Sequence, residues 1–149
     1  MKCVVIDDKS PDVEFKYAAE LMAEALDDNA PPMEVTEIEA FVRKALKSGL
    51  NARFMLLYDD RDQPAALCNY NVCCGLGGDY VWINSFHIRD EEFAETYGDA
   101  LGKELFKWAK ANGCVRVAGA AEKTDYEIRH LADKLGMEQK RMLLLDLKL

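Results

Sequence analysis

The spacing of apolar residues changes several times along this chain, and each change predicts a new element. Residues 1–7, MKCVVID, form a short β-rich run that Asp8, Lys9 and Ser10 end as turn formers. Ser10, Pro11 and Asp12 make a helix start, and Val13, Tyr17, Leu21 and Met22 then recur on one face to about residue 27. The segment 28–32, DNAPP, interrupts that helix. Thr36 with Glu39 three residues later is a capping-box pattern, and Ile38, Phe41, Val42, Ala45 and Leu46 keep helical spacing until Gly49.

The period then becomes that of strands. Residues 52–58 and 65–74 are β-rich runs joined by the polar turn DDRDQP, and the turn Gly75-Leu76-Gly77-Gly78 leads to a third run over 80–89, YVWINSFHIR. Turns this short enforce an antiparallel meander, because a parallel return needs a crossover of about a dozen residues. Beyond it Leu101, Leu105, Trp108 and Ala109 mark a helix ending at Gly113, and 114–121, CVRVAGAA, reads as a buried strand. Thr124 and Glu127 give another capping box, Ile128, Leu131, Ala132 and Leu135 another apolar stripe, and Gly136 a stop. Residues 142–149 close as a strand. The order β-α-α-β-β-β-α-β-α-β predicts one α/β (α+β) domain over 1–149: a mixed, mostly antiparallel twisted sheet with helices on both faces.

Composition narrows the class. In 149 residues, 50% are hydrophobic and 31% charged, the balance of a globular protein. No window holds the roughly 20 apolar residues of a membrane span, and no leader pattern opens the chain, so a cytoplasmic protein without a membrane partner is expected. The net charge of −8 repels a phosphate backbone and argues against nucleic acid as a partner. Five cysteines, Cys3, Cys68, Cys73, Cys74 and Cys114, mostly sit in apolar runs, where reduced thiols pack as small hydrophobes. No second pair accompanies Cys73-Cys74 at a zinc spacing, so no metal is expected.

Phe86-His87-Ile88, Gly98, and Leu105 to Gly113 (LFKWAKANG) stand, without gaps, where the GNAT family of acetyl-CoA-dependent N-acetyltransferases has an apolar triplet, the last glycine of its coenzyme loop and a Leu…Trp-Ala helix end. Residues 125–137 resemble that family's later helix. The resemblance spans the chain in element order and is local at residue level. It implies acetyl-CoA as cofactor, with Phe86, Ile88, Arg89, Glu95, Thr96, Tyr97, Gly98, Asp99 and Asp125 around it, and an amine of a small molecule or protein as acceptor. In the motif, loop amides and a helix N-terminus receive the diphosphate. Here the ungapped placement puts Phe93 to Gly98 (FAETYG) in the loop, without its basic residue and first glycines; a two-residue shift puts Glu95 on the basic position. Neither restores the positive charge, and Arg89 and Lys103 are the cations at hand.

Amine acetylation needs a proton acceptor for the amine and a proton donor for the departing thiolate. His87 is the one group on the third meander strand that titrates near neutrality and is the candidate base; its competing reading is a hydrogen-bonded packing residue. The resemblance places the family's acid, a tyrosine, on Ala132, so Tyr126, with Tyr97 or water as alternatives, is the candidate donor. The acidic first third, including Glu14, Glu20 and Glu24, suits either recognition of a cationic amine or plain solvation. Two rival readings remain. Val4 to Asp8 resembles the start of a phosphoreceiver, which the meander opposes. The degenerate loop and Ala132 also fit a GNAT-shaped binding or interaction module without catalysis, as a homodimer.

Overall fold

The computed structural model describes residues 1–26, 30–47, 49, 51–121 and 125–140. In chain order they form β1 (Lys2–Ile6), α1 (Asp12–Glu24), α2 (Val35–Lys47), β2 (Ala52–Tyr58), β3 (Pro64–Cys73), β4 (Tyr80–Ile88), a 3₁₀ turn (Glu91–Phe93), α3 (Ala94–Ala111), β5 (Arg116–Gly119) and α4 (Tyr126–Lys134). The expected interruption at Asp28-Asn29, the cap at Thr124 and the closing strand 142–149 lie outside the described residues. One sheet of order β1-β2-β3-β4-β5 results, antiparallel except for the parallel β4–β5 pair. The meander is therefore as expected, and α3 supplies the crossover that a parallel neighbour requires. No described helix is long and apolar enough to cross a membrane.

Side chains alternate across the sheet into two cores. Ile6, Phe15, Leu21, Val42, Phe54 and Leu56 fill the α1/α2 side, while Met55, Leu57, Cys68, Tyr70, Val81, Leu101 and Leu105 fill the α3 side. The interior strand β2 contributes to both, which is why its sequence is apolar from Phe54 to Leu57. Each fully buried Leu or Phe adds roughly 1.5–3 kcal/mol of transfer free energy. Cys68 is one of these core residues, and burial pushes its thiol far up.

Several expectations need correction. The apolar stripe of α1 is wider than expected: Leu21 is buried and Tyr17 and Met22 pack on the core as expected, Phe15, Ala18 and Ala19 are buried beside them, and Val13 alone of the expected set is exposed. Phe41 on α2 is likewise 49% exposed. The α2 cap forms two positions early, with Glu37 Oε2 accepting from the Glu34 N–H at 3.0 Å. Ser10 does not cap α1; its hydroxyl accepts from the Asp7 N–H. The strand expected over 114–121 is only Arg116–Gly119 and is half-exposed, as befits a strand paired on one side. The loop expected over 93–98 is instead helix: Asp90 accepts from the Glu92 N–H at 3.0 Å, and α3 is under way at Ala94. No glycine stands between Arg89 and Gly98 to hold the chain out of helix, and Ala and Glu favour it.

Two features set the geometry of the β4 end. Asn69 faces Ser85 while Tyr70 faces Ile83, so Asn84 is an extra residue, a β-bulge. Val81 and Ile83 before it join the α3-side core, but Phe86 and Ile88 do so after it, so Ser85 and His87 turn to the α1 side. The second feature is a glycine seam on α3. A Cβ on Gly98 would stand 2.8 Å from Leu131 Cδ2 and 3.0 Å from Ile88 Cδ1, and one on Gly102 2.5 Å from Leu135 Cδ1. The glycines thus admit the leucines of α4.

Filling one notch and emptying one core site should both be visible in urea unfolding. Gly98→Leu is expected to lower stability by about 1–3 kcal/mol through overpacking, and Leu101→Ala, at a site with 0% exposure, by about 2–5 kcal/mol. A neutral Gly98→Leu would contradict the seam.

Candidate active site

The bulge delivers His87 and the α1 C-terminus delivers its partner. His87 Nε2 lies 3.3 Å from Glu24 Oε2. Arg89 Nε donates to both Glu24 oxygens at 3.0 and 3.1 Å, and a second guanidinium nitrogen lies 2.8 Å from Oε1 and 3.9 Å from Glu20. The Arg89 guanidinium also donates to the Pro64 carbonyl at 3.1 Å. Burial works against the ionised Glu24, but hydrogen bonds from Arg89 and His87 outweigh it and hold the carboxyl below its ordinary range. The result is a histidine whose ring is oriented by an ionised carboxylate, itself fixed by an arginine.

On the other side of β4 the sheet opens. β5 pairs with Tyr80 to Ile83 and stops at Gly119, so residues 84–88 have no strand partner there among the described residues. The Arg89 N–H donates inward to the Ala65 carbonyl at 2.9 Å. Main-chain groups alternate sides along a strand, so those of His87 also face β3 and those of Phe86 and Ile88 face the open edge. The edge runs into the start of α3. There Phe93 donates to the Asp90 carbonyl, Ala94 to that of Glu91 and Glu92 to the Asp90 side chain, and Glu95 and Thr96 follow in the first turn of α3. Lys134 of α4 is ion-paired with Glu95, whose carboxyl it holds below the ordinary range, and Lys103 pairs with Asp99 at 2.6 Å.

The predicted site residues therefore fall into separate groups. His87 and Arg89 join Glu24 and Glu20 on the α1 side. The backbone of Phe86 and Ile88 borders the open edge, and their side chains pack in the α3-side core. Glu95 and Thr96 are exposed in the first turn of α3. Gly98 is buried in the helix interior, where its N–H belongs to the helical ladder. Tyr97 stacks on Phe93 at 5.5 Å between centroids and lines a cleft of about 510 Å³ with Asp59, Arg89, Asp90 and Glu91. Asp125 caps α4, accepting from the Ile128 N–H at 3.0 Å. Tyr126 opens α4, with its side chain outside the described residues.

Glu24 and Lys134 are functional candidates that residue patterns alone did not single out. A signal existed for the first: Glu20 and Glu24 are like charges at i, i+4, which repel on an isolated helix and so ask for a shared cation. Nothing local links Lys134 to Glu95, which are 39 residues apart.

Solved structures share this architecture. A probable acetyltransferase superposes with a TM-score of 0.81 at 12% identity, covering 100% of this chain and 98% of that one. A ribosomal-protein-alanine N-acetyltransferase from Brucella melitensis biovar Abortus 2308 gives 0.76 at 10% identity, with both chains covered at 100%. An aminoglycoside acetyltransferase from an uncultured soil metagenomic sample, in complex with sisomicin, gives 0.75 at 14% identity, with 99% of this chain and 96% of that one covered. No protein-family model matches the sequence, and no curated protein does. The chain has the GNAT acyltransferase fold. The resemblance carried by residues 80–137 holds in the architecture of the whole domain.

The Glu24 cluster makes stability pH-dependent with a defined sign. A carboxyl held low in the folded state stabilises above its ordinary value, 4.5 here, and that contribution is lost as pH falls through the folded value. Urea midpoints followed from about pH 7 to about pH 3 should therefore fall more steeply for the wild type than for Glu24→Gln. Parallel curves would show that Arg89 and His87 do not favour the ionised form.

Proposed function

We propose that this protein is an N-acyltransferase that moves an acetyl group from acetyl-CoA to an amine of a small molecule or protein. The observation that carries the reading is the parted edge of β4, which presents main-chain groups of Phe86 and Ile88 and runs into the N-terminus of α3. An extended, amide-bearing arm ending in a diphosphate is complementary to that sequence of groups.

The residues present fit coenzyme A. Phe86 and Ile88 would pair with its amide-containing arm, and the Glu95 and Thr96 N–H groups would receive its diphosphate. Lys134 offsets Glu95 and Lys103 offsets Asp99, which removes two of the negative charges that would oppose a diphosphate there. Bound acetyl-CoA supplies the activated acyl group. His87 takes the proton that the acceptor nitrogen loses as its C–N bond forms and the C–S bond breaks. Glu24 keeps the imidazole oriented, and Arg89 keeps Glu24 ionised. Tyr126 returns a proton to the sulfur. The carboxylates Asp90, Glu91 and Glu92 at the approach favour a second reading, a GNAT-fold interaction module without catalysis.

Calorimetric titration with coenzyme A separates the two. Micromolar binding, weakened about tenfold by Lys134→Glu, is expected; no detectable heat would select the interaction module. In acetyl-transfer assays His87→Ala should lower kcat about 100-fold while coenzyme affinity holds. Tyr126→Phe should lower it as well, and an unchanged rate would remove that residue from the chemistry.

A further inference from the structure

A second groove, of about 290 Å³, lies between α2 and the α1/α2 face of the sheet. Its open wall is Phe41, exposed to solvent at 49%, and behind it lies Phe54, fully buried in the α1/α2-side core. Its floor carries three carboxamides: Asn69 and Asn71, alternate residues on one face of β3, and Asn84, the bulge residue of β4. Asn84 Nδ2 donates to the Asn71 side-chain oxygen and, at 3.4 Å, to that of Asn69. With its N–H groups so directed, the Asn84 Oδ1 is left as an acceptor beside the strand edge assigned to the coenzyme. The charged residue of the groove is Lys44, which makes no ion pair with any described residue.

This composition is selective. In a chain of net charge −8 the groove is lined by no carboxylate among the described residues. A carboxylate would hold an amine as its ammonium, which has no lone pair to give, whereas a carboxamide oxygen accepts an N–H from the neutral amine. The Lys44 ammonium attracts an anion and repels a polycation. The exposed Phe41 ring favours an apolar group, and one of modest size, since the volume sits at the lower end of small-molecule sites, about 300–1,000 Å³.

We infer that this groove is the acceptor site and that the acceptor is a small α-amino carboxylate with an apolar side chain. Its nitrogen is received by Asn84, its carboxylate by Lys44 and its side chain by Phe41. The inference rests on the acyl-transfer reading and gives it a substrate class. In the transfer the acceptor nitrogen gains the acyl carbon and loses one proton, and the coenzyme sulfur loses that carbon and gains one proton, so no further reactant is required.

The test is calorimetric titration of the intact protein, with and without saturating coenzyme A, using L-phenylalanine, phenethylamine (the same amine without the carboxylate) and spermidine. L-phenylalanine should bind about tenfold more tightly than phenethylamine, and spermidine should bind more weakly still. Lys44→Glu, an exposed helix substitution, should erase the preference, and Asn84→Ala should weaken L-phenylalanine at least severalfold. The inference is overturned if phenethylamine or spermidine matches L-phenylalanine, if Lys44→Glu leaves the preference intact, or if no probe binds. Coenzyme binding without L-phenylalanine binding would remove the groove alone. L-phenylalanine binding without coenzyme binding would overturn its role as an acceptor and the transfer reading together.

Discussion

One inserted residue sets the chemistry of this domain. In an uninterrupted strand, odd-numbered residues of β4 would stay on the α3 side throughout, as Val81 and Ile83 do. His87 and Arg89 would then enter an apolar core, while Phe86 and Ile88 would meet the glutamates of α1. Burying an unpartnered guanidinium costs several kcal/mol at least, so that register would not survive with this sequence. Asn84 reverses the parity, and the polar pair of β4 reaches Glu24 while the apolar pair closes the core.

The strongly acidic balance of the chain is managed by pairing around the same end of the sheet. Glu20 and Glu24 share Arg89, Glu95 meets Lys134, and Asp99 meets Lys103. Such pairs on exposed side chains contribute little to stability each. Their larger effect is on the local field, since they leave the first turn of α3 less hostile to an anion than its own residues suggest. Among the described residues the α2 groove is lined by carboxamides and one cation, so two neighbouring regions of one acidic protein are each made less hostile to an anion.

Much of the fold was legible because its elements are local. The meander followed from short polar turns, and three helix stops fell at glycines that do adopt positive φ: Gly49, Gly113 and Gly136. Failures came where tertiary contacts decide. Gly98 was read as a loop glycine because spacing cannot tell a backbone that approaches a ligand from one that approaches Leu131 and Ile88. Val13 and Phe41 matched the helical spacing of their stripes, yet they lie at the margins of the faces that the sheet receives and stay exposed. His87 was legible as a titratable residue on the right strand, but Glu24, 63 residues away, was visible only as part of an acidic helix. The bulge leaves no mark in composition, and without it neither the histidine's neighbours nor the asparagine floor could be placed.

Gly98 and Gly102 lie one turn apart on α3 and receive Leu131 and Leu135, one turn apart on α4. Two sockets fix roll as well as distance, so α4 cannot pivot about its axis without lifting both leucines. Its leading end, where Asp125 and Tyr126 stand, takes its heading from this keyed joint. Two absent methyl groups on one helix thereby steer the far end of another.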